Sequence, residues 1–298
     1  MVGRVSYLIY LYIMTIYIIG RKSLTNPLKL YGNILHNKLI KKDYDVKILD
    51  RFTIITPTKT DIVISFTANY DFSRIKPFYN IILWGSEYLS DDDKECILTF
   101  KDKIKYVITY NPHNNDFWES IIDKKYIQLT PFGYDSSFET IYDKSVKEKD
   151  IDILFYGILS DRRKELLDEL RKDHVVHYTK KFKSIEEQCL YIKRSKIAII
   201  IHGQDYNHIV DFARLSFLVA NGAFILHENY DNLYKNYHKK EFKKYINTFK
   251  YNKAAKIVKS WLKKSQNKRD DKANDLYEWY KSTCNMDNLL SDTLLSIL

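Results

Sequence analysis

The sequence predicts an α/β fold of two Rossmann-like halves facing a cleft, with a helical C-terminus. Three observations predict it. Short, almost wholly apolar runs alternate with amphipathic stretches along the 298 residues, as parallel strands covered on both faces alternate with helices. The alternation stops once, at 135–150 (DSSFETIYDKSVKEKD), where periodicity is lost and charge rises, and restarts at Ile151. The length is also long for one core and comfortable for two. The expected units are residues 1–140 and 151–298, with the last helix able to cross back onto the first unit.

In order, Val5 to Ile19 is apolar, but it is shorter than the ~18 residues of a spanning helix and is diluted by Ser6, Thr15 and several tyrosines. The better reading starts a strand at Met14 (TIYIIG), then a loop, a helix from Leu28 to Lys42 and a strand in YDVKILD, which together open a βαβ unit. Residues 1–13 are then an extra segment with no assigned role. DIVISFT, NIILWG, IKYVITY and YIQLTPFGYD read as further strands, with helices at 90–100 and 114–122.

The second half repeats the pattern. IDILFYG is a strand, 160–172 a helix, VVHYT a strand and SIEEQCLYIKRS a helix. The stretch 196–228 follows as strand, loop, helix and strand. Asn221-Gly222 supplies a left-handed helix stop. His202 and Glu228 stand where the two strands end, and ligands bind at that carboxyl edge in open α/β sheets. Beyond it lie a short mixed segment at 241–249, a helix from about 252 to 264 and a final helix from about 271.

The chain is 45% hydrophobic and 29% charged, with a net charge of +10. That charge admits nucleic acid, an anionic surface or an acidic substrate. The rich use of Lys, Ile, Tyr and Asn beside 8 Gly and 5 Pro points instead to AT-rich codons as its source. Cys96, Cys189 and Cys284 are far apart and the chain has no Asn-x-Ser/Thr acceptor, which suits a reducing, cytoplasmic setting, with membrane association left open for residues 1–13.

Four places carry chemistry. Gly157 ends a strand, Ser160 is placed to cap the next helix, and Arg162 and Arg163 fall in its first turn. That is wrong for a bare helix N-terminus and right for one holding a phosphate, unless Asp161 and Glu165 neutralise the arginines. Asp211 and Arg214 either pair on their helix or place Arg214 toward a diphosphate; Tyr206 lies in the loop opening at the same edge. Glu228 is placed to accept ribose hydroxyls. Asp91-Asp92-Asp93 is a D-x-D that reads better as a helix cap after Ser90 than as a metal site. No dinucleotide fingerprint, phosphate loop or nucleophile elbow is present.

The runs IDILFYGILSDRRKELLDEL, RSKIAIIIHG and DFARLSFLVANGAFILHEN, with VITYNPHNNDFWE and LTPFGYD before them, resemble the GT-B glycosyltransferases. The resemblance is to the group with a glycosyltransferase-family-one-like C-terminal domain, found in bacteria and large DNA viruses. It implies a GT-B architecture and transfer of a sugar from a nucleotide-diphosphate donor, with no metal or other cofactor. Gly157, Arg162 or Arg163, His202 and Arg214 would serve the phosphates and Glu228 the ribose, with Tyr206 and Asp211 beside them. A glycan, lipid or protein acceptor would sit on the first unit. Many retaining relatives carry a pair of glutamates flanking the phosphate loop. Ile209 stands at the first of those positions, which favours an inverting reaction with Glu87 as the base. Two alternatives remain: a DNA-base glucosyltransferase of the same fold, and a non-catalytic nucleotide-sugar-binding scaffold.

Overall fold

A computed structural model describes residues 14–20, 27–50, 57–66, 80–85, 89–130, 132–139, 148–205, 210–229, 239–295 and 297–298. Residues 1–13 and 140–147, Glu87, Tyr206 and Ile209 lie outside the described residues. The first half contains β1 (Thr15–Gly20), α1 (Pro27–Ile40), β2 (Asp45–Asp50), β3 (Ile62–Ser65), β4 (Ile81–Gly85), α2 (Asp91–Leu98), β5 (Ile104–Thr109), α3 (Asn115–Ile121) and β6 (Ile127–Leu129). The second contains β7 (Ile151–Tyr156), α4 (Asp161–Arg171), β8 (Val176–Thr179), α5 (Ile185–Arg194), β9 (Ser195–Ile200), α6 (Phe212–Ala220) and β10 (Ile225–Glu228). It continues with α7 (Lys239–Tyr245), β11 (Asn247–Phe249), α8 (Ala254–Leu262), α9 (Gln266–Thr283) and α10 (Met286–Thr293).

All named strand pairs are parallel. The first sheet runs β2-β1-β3-β4-β5-β6 and the second, from its other edge, β8-β7-β9-β10-β11. Both therefore share one order, reversing direction between their first and third strands. The apolar runs become strands because they are covered on both faces: Val63, Ile64, Ile81, Ile153, Ile197 and Leu226 are all buried. The fold is α/β with two parallel sheets, flanking helices and a helical C-terminus.

Helix starts follow local chemistry. Ser90 and Asp93 form a reciprocal capping box at α2, so Asp93 of the D-x-D is used by the cap. Ser160, Ser184, Asp211, Ser265 and Asn285 cap α4, α5, α6, α9 and α10. Gly222 stops α6 with a φ of +64°.

The structure corrects several sequence boundaries. The C-terminal helix starts at Gln266 and is two helices, because Asn285 caps a new one. The break is held by long-range pairing: Tyr134 N–H donates to Cys284 O at 2.8 Å, and Met286 N–H donates to Tyr134 O at 2.8 Å. The mixed segment resolves into α7 and an edge strand, β11. The stretch expected to lack structure begins with some: Asp135 caps a 3-10 turn, and the carbonyl of buried Phe138 accepts from Asn221 Nδ2 at 3.0 Å. Glu228 does not follow its strand but ends it, buried.

An apolar cluster joins helices and strands of both halves, with Tyr31, Trp84 and Phe132 beside Phe212, Phe217 and Tyr280. Phe132 stacks on Tyr31 at 4.0 Å, and its carbonyl accepts from the Tyr280 hydroxyl at 2.8 Å. These packed aromatics fix α6 and α9 against the end of the first half, and so fix where the N-terminus of α6 points.

Candidate functional site at the carboxyl edge of the second sheet

Strand order places the crevice. In open parallel sheets ligands bind outside the carboxyl ends of the strands, where the order reverses. In the second sheet that point lies between β7 and β9. Gly157 follows β7 and His202-Gly203 follow β9, while α4 and α6 both begin at this edge.

Gly157 has a φ of +126°, and a Cβ there would lie 2.9 Å from Arg214 Nη2. The conformation demands glycine at this position, and any side chain would also displace the end of Arg214. Ser160 accepts from Arg163 N–H at 3.4 Å and closes the start of α4. Arg162 and Arg163 then diverge, since successive helical residues point about 100° apart.

Arg162 turns to the far side of β9. Its Nη1 donates to Glu228 Oε2 at 2.8 Å and to His202 O at 3.1 Å, its Nη2 to Glu228 Oε1, and its Nε to Asp205. Its guanidinium lies 3.8 Å over the Tyr251 ring, and the Tyr251 hydroxyl returns a bond to Arg162 O at 2.7 Å. Burial opposes the charge, but Glu228 and Asp205 hold Arg162 above the usual arginine value. Glu228 also accepts from His202 N–H at 2.9 Å, so both of its oxygens are engaged. The Arg162–Glu228 fork ties α4 to the ends of β9 and β10.

Arg163 turns into the crevice. Its Nε donates to Ile201 O at 2.9 Å and its Nη1 to Ile158 O at 2.7 Å. Both acceptors are main-chain carbonyls; it forms no ion pair among the described residues. Its guanidinium lies against Gly203, where a Cβ would stand in ordinary contact at 3.5 Å from Cζ. Burial first, and then the charge of Arg214, push the Arg163 guanidinium down to about 10. Arg214 sits on Phe155 and Tyr156 at 5.7 and 5.2 Å and pairs with Asp211 at 3.2 Å. Asp211 also accepts from Arg214 N–H at 3.0 Å as the α6 cap. The Arg214 Nη1 is buried without a hydrogen-bond partner. Two half-buried guanidiniums thus lie close together between two helix N-termini, and the buried Nη1 of Arg214 has its donor capacity unfilled. An anion supplies what such a group lacks.

His202 is buried, and its ring Nε2 lies 2.9 Å from Asn229 O. His227, beside it at 5.6 Å between ring centres, is pushed down to about 3, by burial first and then by His202. It is therefore neutral near pH 7.

The structure thus brings Gly157, Arg163, Asp211 and Arg214 to one crevice and binds Arg162, His202 and Glu228 into the wall beside it. Asp205, His227 and Tyr251 escaped the sequence reading. The one local signal was Tyr251, an aromatic two residues after a short edge strand. In the first sheet, the loops after β1, β3 and β4 fall at 21–26, 67–79 and 86–88, outside the described residues, and Glu87 with them.

No family model and no curated protein sequence matches the chain. Solved structures do. The chain is similar to Anabaena Alr3699/HepE, solved in complex with UDP and glucose, with a TM-score of 0.61 at 9% identity, covering 95% of this chain and 100% of that one. It is similar to WaaG, a glycosyltransferase of lipopolysaccharide biosynthesis, with a TM-score of 0.59 at 8% identity, covering 92% and 98%. It is also similar to an alpha-glucosyltransferase solved with UDP and a 13-mer DNA containing a HMU base, with a TM-score of 0.62 at 11% identity, covering 94% and 98%. Across nearly its whole length the chain has the fold of these enzymes, the GT-B glycosyltransferase fold.

Proposed function

We propose that the protein is a glycosyltransferase whose donor is a nucleotide-diphosphate sugar held at the β7/β9 crevice. One observation carries the reading: Arg163 and Arg214 lie half-buried beside each other at the switch point of the second sheet, the first with no carboxylate partner among the described residues and the second with a buried, unpartnered Nη1. The UDP in two of the solved structures that share the fold supports it.

Arg163, Arg214 and the N-termini of α4 and α6 hold the diphosphate. The same groups stabilise the negative charge that grows on it as the sugar–phosphate bond breaks, in an environment already arranged for that charge. They do so without a metal. The Arg162–Glu228 fork keeps α4 and the two strand ends in register, so Arg163 stays aimed; its share is positioning. Glu228 then meets a ribose only if Arg162 releases one oxygen. The acceptor binds over the first sheet, and Glu87, two residues beyond β4, is the base of an inverting transfer.

Arg214→Ala tests the reading. Hydrogen bonds to charged groups contribute about 1.5–3 kcal/mol, so turnover should fall at least about tenfold and UDP affinity with it. Unchanged UDP affinity by calorimetry in a folded Arg214→Ala protein removes the crevice from the donor site.

A further inference from the structure

The net charge of the molecule sits in one place. Of the 48 basic and 38 acidic residues, 12 basic and 1 acidic fall between Lys239 and Arg269. This short stretch carries the whole positive excess, and the rest of the chain is close to neutral. A codon bias acting on composition would spread lysine along the chain, so it does not explain this distribution.

Folding does not explain it either. Several helix starts obey the macrodipole: α2 carries Asp91 to Asp93, α4 Asp161 and α5 Glu186 and Glu187 in the first turn. Helices α8 and α9 have no acidic residue there, and Lys253 and Lys268 stand at their starts. On α8, Lys256, Lys259 and Lys263 follow at spacings that place like charges on one face, each such pair slightly destabilising. The opposite face is apolar: Ala254 and Val258 are buried, with Ile257, Trp261 and Leu262 packed behind the second sheet. Lys253, Lys256, Lys259 and Lys263 are all exposed, a row about 15 Å long at 1.5 Å per residue. Lys259 lies 3.9 Å from Asp173, and the other three have no carboxylate partner among the described residues. The row starts behind the wall of the β7/β9 crevice, because Lys250 and Lys253 lie one and two residues from Tyr251, whose ring carries Arg162.

We propose that this row is a docking surface for the phosphate backbone of duplex nucleic acid. Rows of lysine against a regular line of phosphates give binding by counterion release without base contacts. A lipid surface is the poorer fit. Peripheral helices insert apolar side chains, and every large exposed apolar side chain among the described residues lies outside this stretch, at Ile40, Ile48, Leu98, Ile158, Val175 and Leu190. The proposal does not depend on the transferase reading, since binding is measured without a donor.

The test is fluorescence anisotropy of the full chain with a labelled duplex DNA over a salt series. Lys253, Lys256, Lys259 and Lys263 are changed together to Gln. A control of equal charge changes Lys101, Lys103, Lys105 and Lys124, exposed on the first half. The α8 variant should bind at least about tenfold more weakly at about 50 mM salt, with a shallower salt dependence, while the control stays within about threefold of the parent. Circular dichroism should show both variants folded. Failure of the parent to bind duplex DNA overturns the proposal. So does an equal loss in the control, and so does capture on phosphatidylglycerol vesicles with no binding to DNA.

Discussion

The two sheets share one strand order and differ in what they bury at their carboxyl edges. At the ends of β5 and β6 the first sheet buries neutral groups, Thr109, Asn111 and Thr130, and Trp84 is buried near the end of β4. Asn111 Oδ1 accepts from His113 N–H at 3.1 Å, while its amide nitrogen and the indole nitrogens of Trp84 and Trp118 find no partner. The second sheet gathers three arginines, three carboxylates and two histidines at the same edge. The order of strands builds a crevice in both; among the described residues, which leave out the loops after β1, β3 and β4, the charges an anion needs lie at the second. Fold and function separate here within one molecule.

The sharpest break between the sheets should come from Glu228→Ala. Arg162, half-buried, would be left with only the exposed Asp205 as a carboxylate partner, and removing one partner of a largely buried pair costs about 3 kcal/mol or more. Denaturant unfolding measures it; a loss below about 1 kcal/mol would mean that the fork contributes little beyond a surface pair.

Near neutral pH a smaller difference is pH dependence. His227 has a folded value of about 3, below its ordinary 6.5. The unfolded chain therefore takes up a proton that the folded chain refuses. The contribution is fully present above pH 6.5 and is lost as pH falls from there toward 3, at up to about 1.4 kcal/mol per pH unit. His227→Gln should flatten that part of the stability curve, and an unchanged slope would place the dependence elsewhere.

The smallest effects should show no difference at all. Ser90→Ala in the first half and Ser160→Ala in the second each remove one helix cap, and each should lower stability by about 1 kcal/mol. An Ser160→Ala loss several times larger would show that the α4 cap is coupled to the arginines behind it.

Much of this was legible before folding. The strands of both halves stand out as unbroken apolar runs because both their faces are covered. Ser90, Ser160 and Gly222 announce helix ends because capping uses atoms within three or four residues. What misled the reading came from summation and from distance. Whole-chain charge hid a stretch that carries all of the excess. Asp271 read as a helix start, although Ser265 caps the helix earlier and Asn285 begins another.

By itself the sequence determined the α/β class, the repeated alternation and the edge where His202 and Glu228 would meet, since these depend on periodicity and local caps. Only the tertiary structure decided which arginine remains available to a ligand. Arg162 and Arg163 are neighbours of one kind in one helical turn. The first is claimed by Glu228, 66 residues away, and the second lies against Arg214 and Gly203. Their environments differ because a helix turns about 100° per residue and the sheet brings distant strand ends to each side.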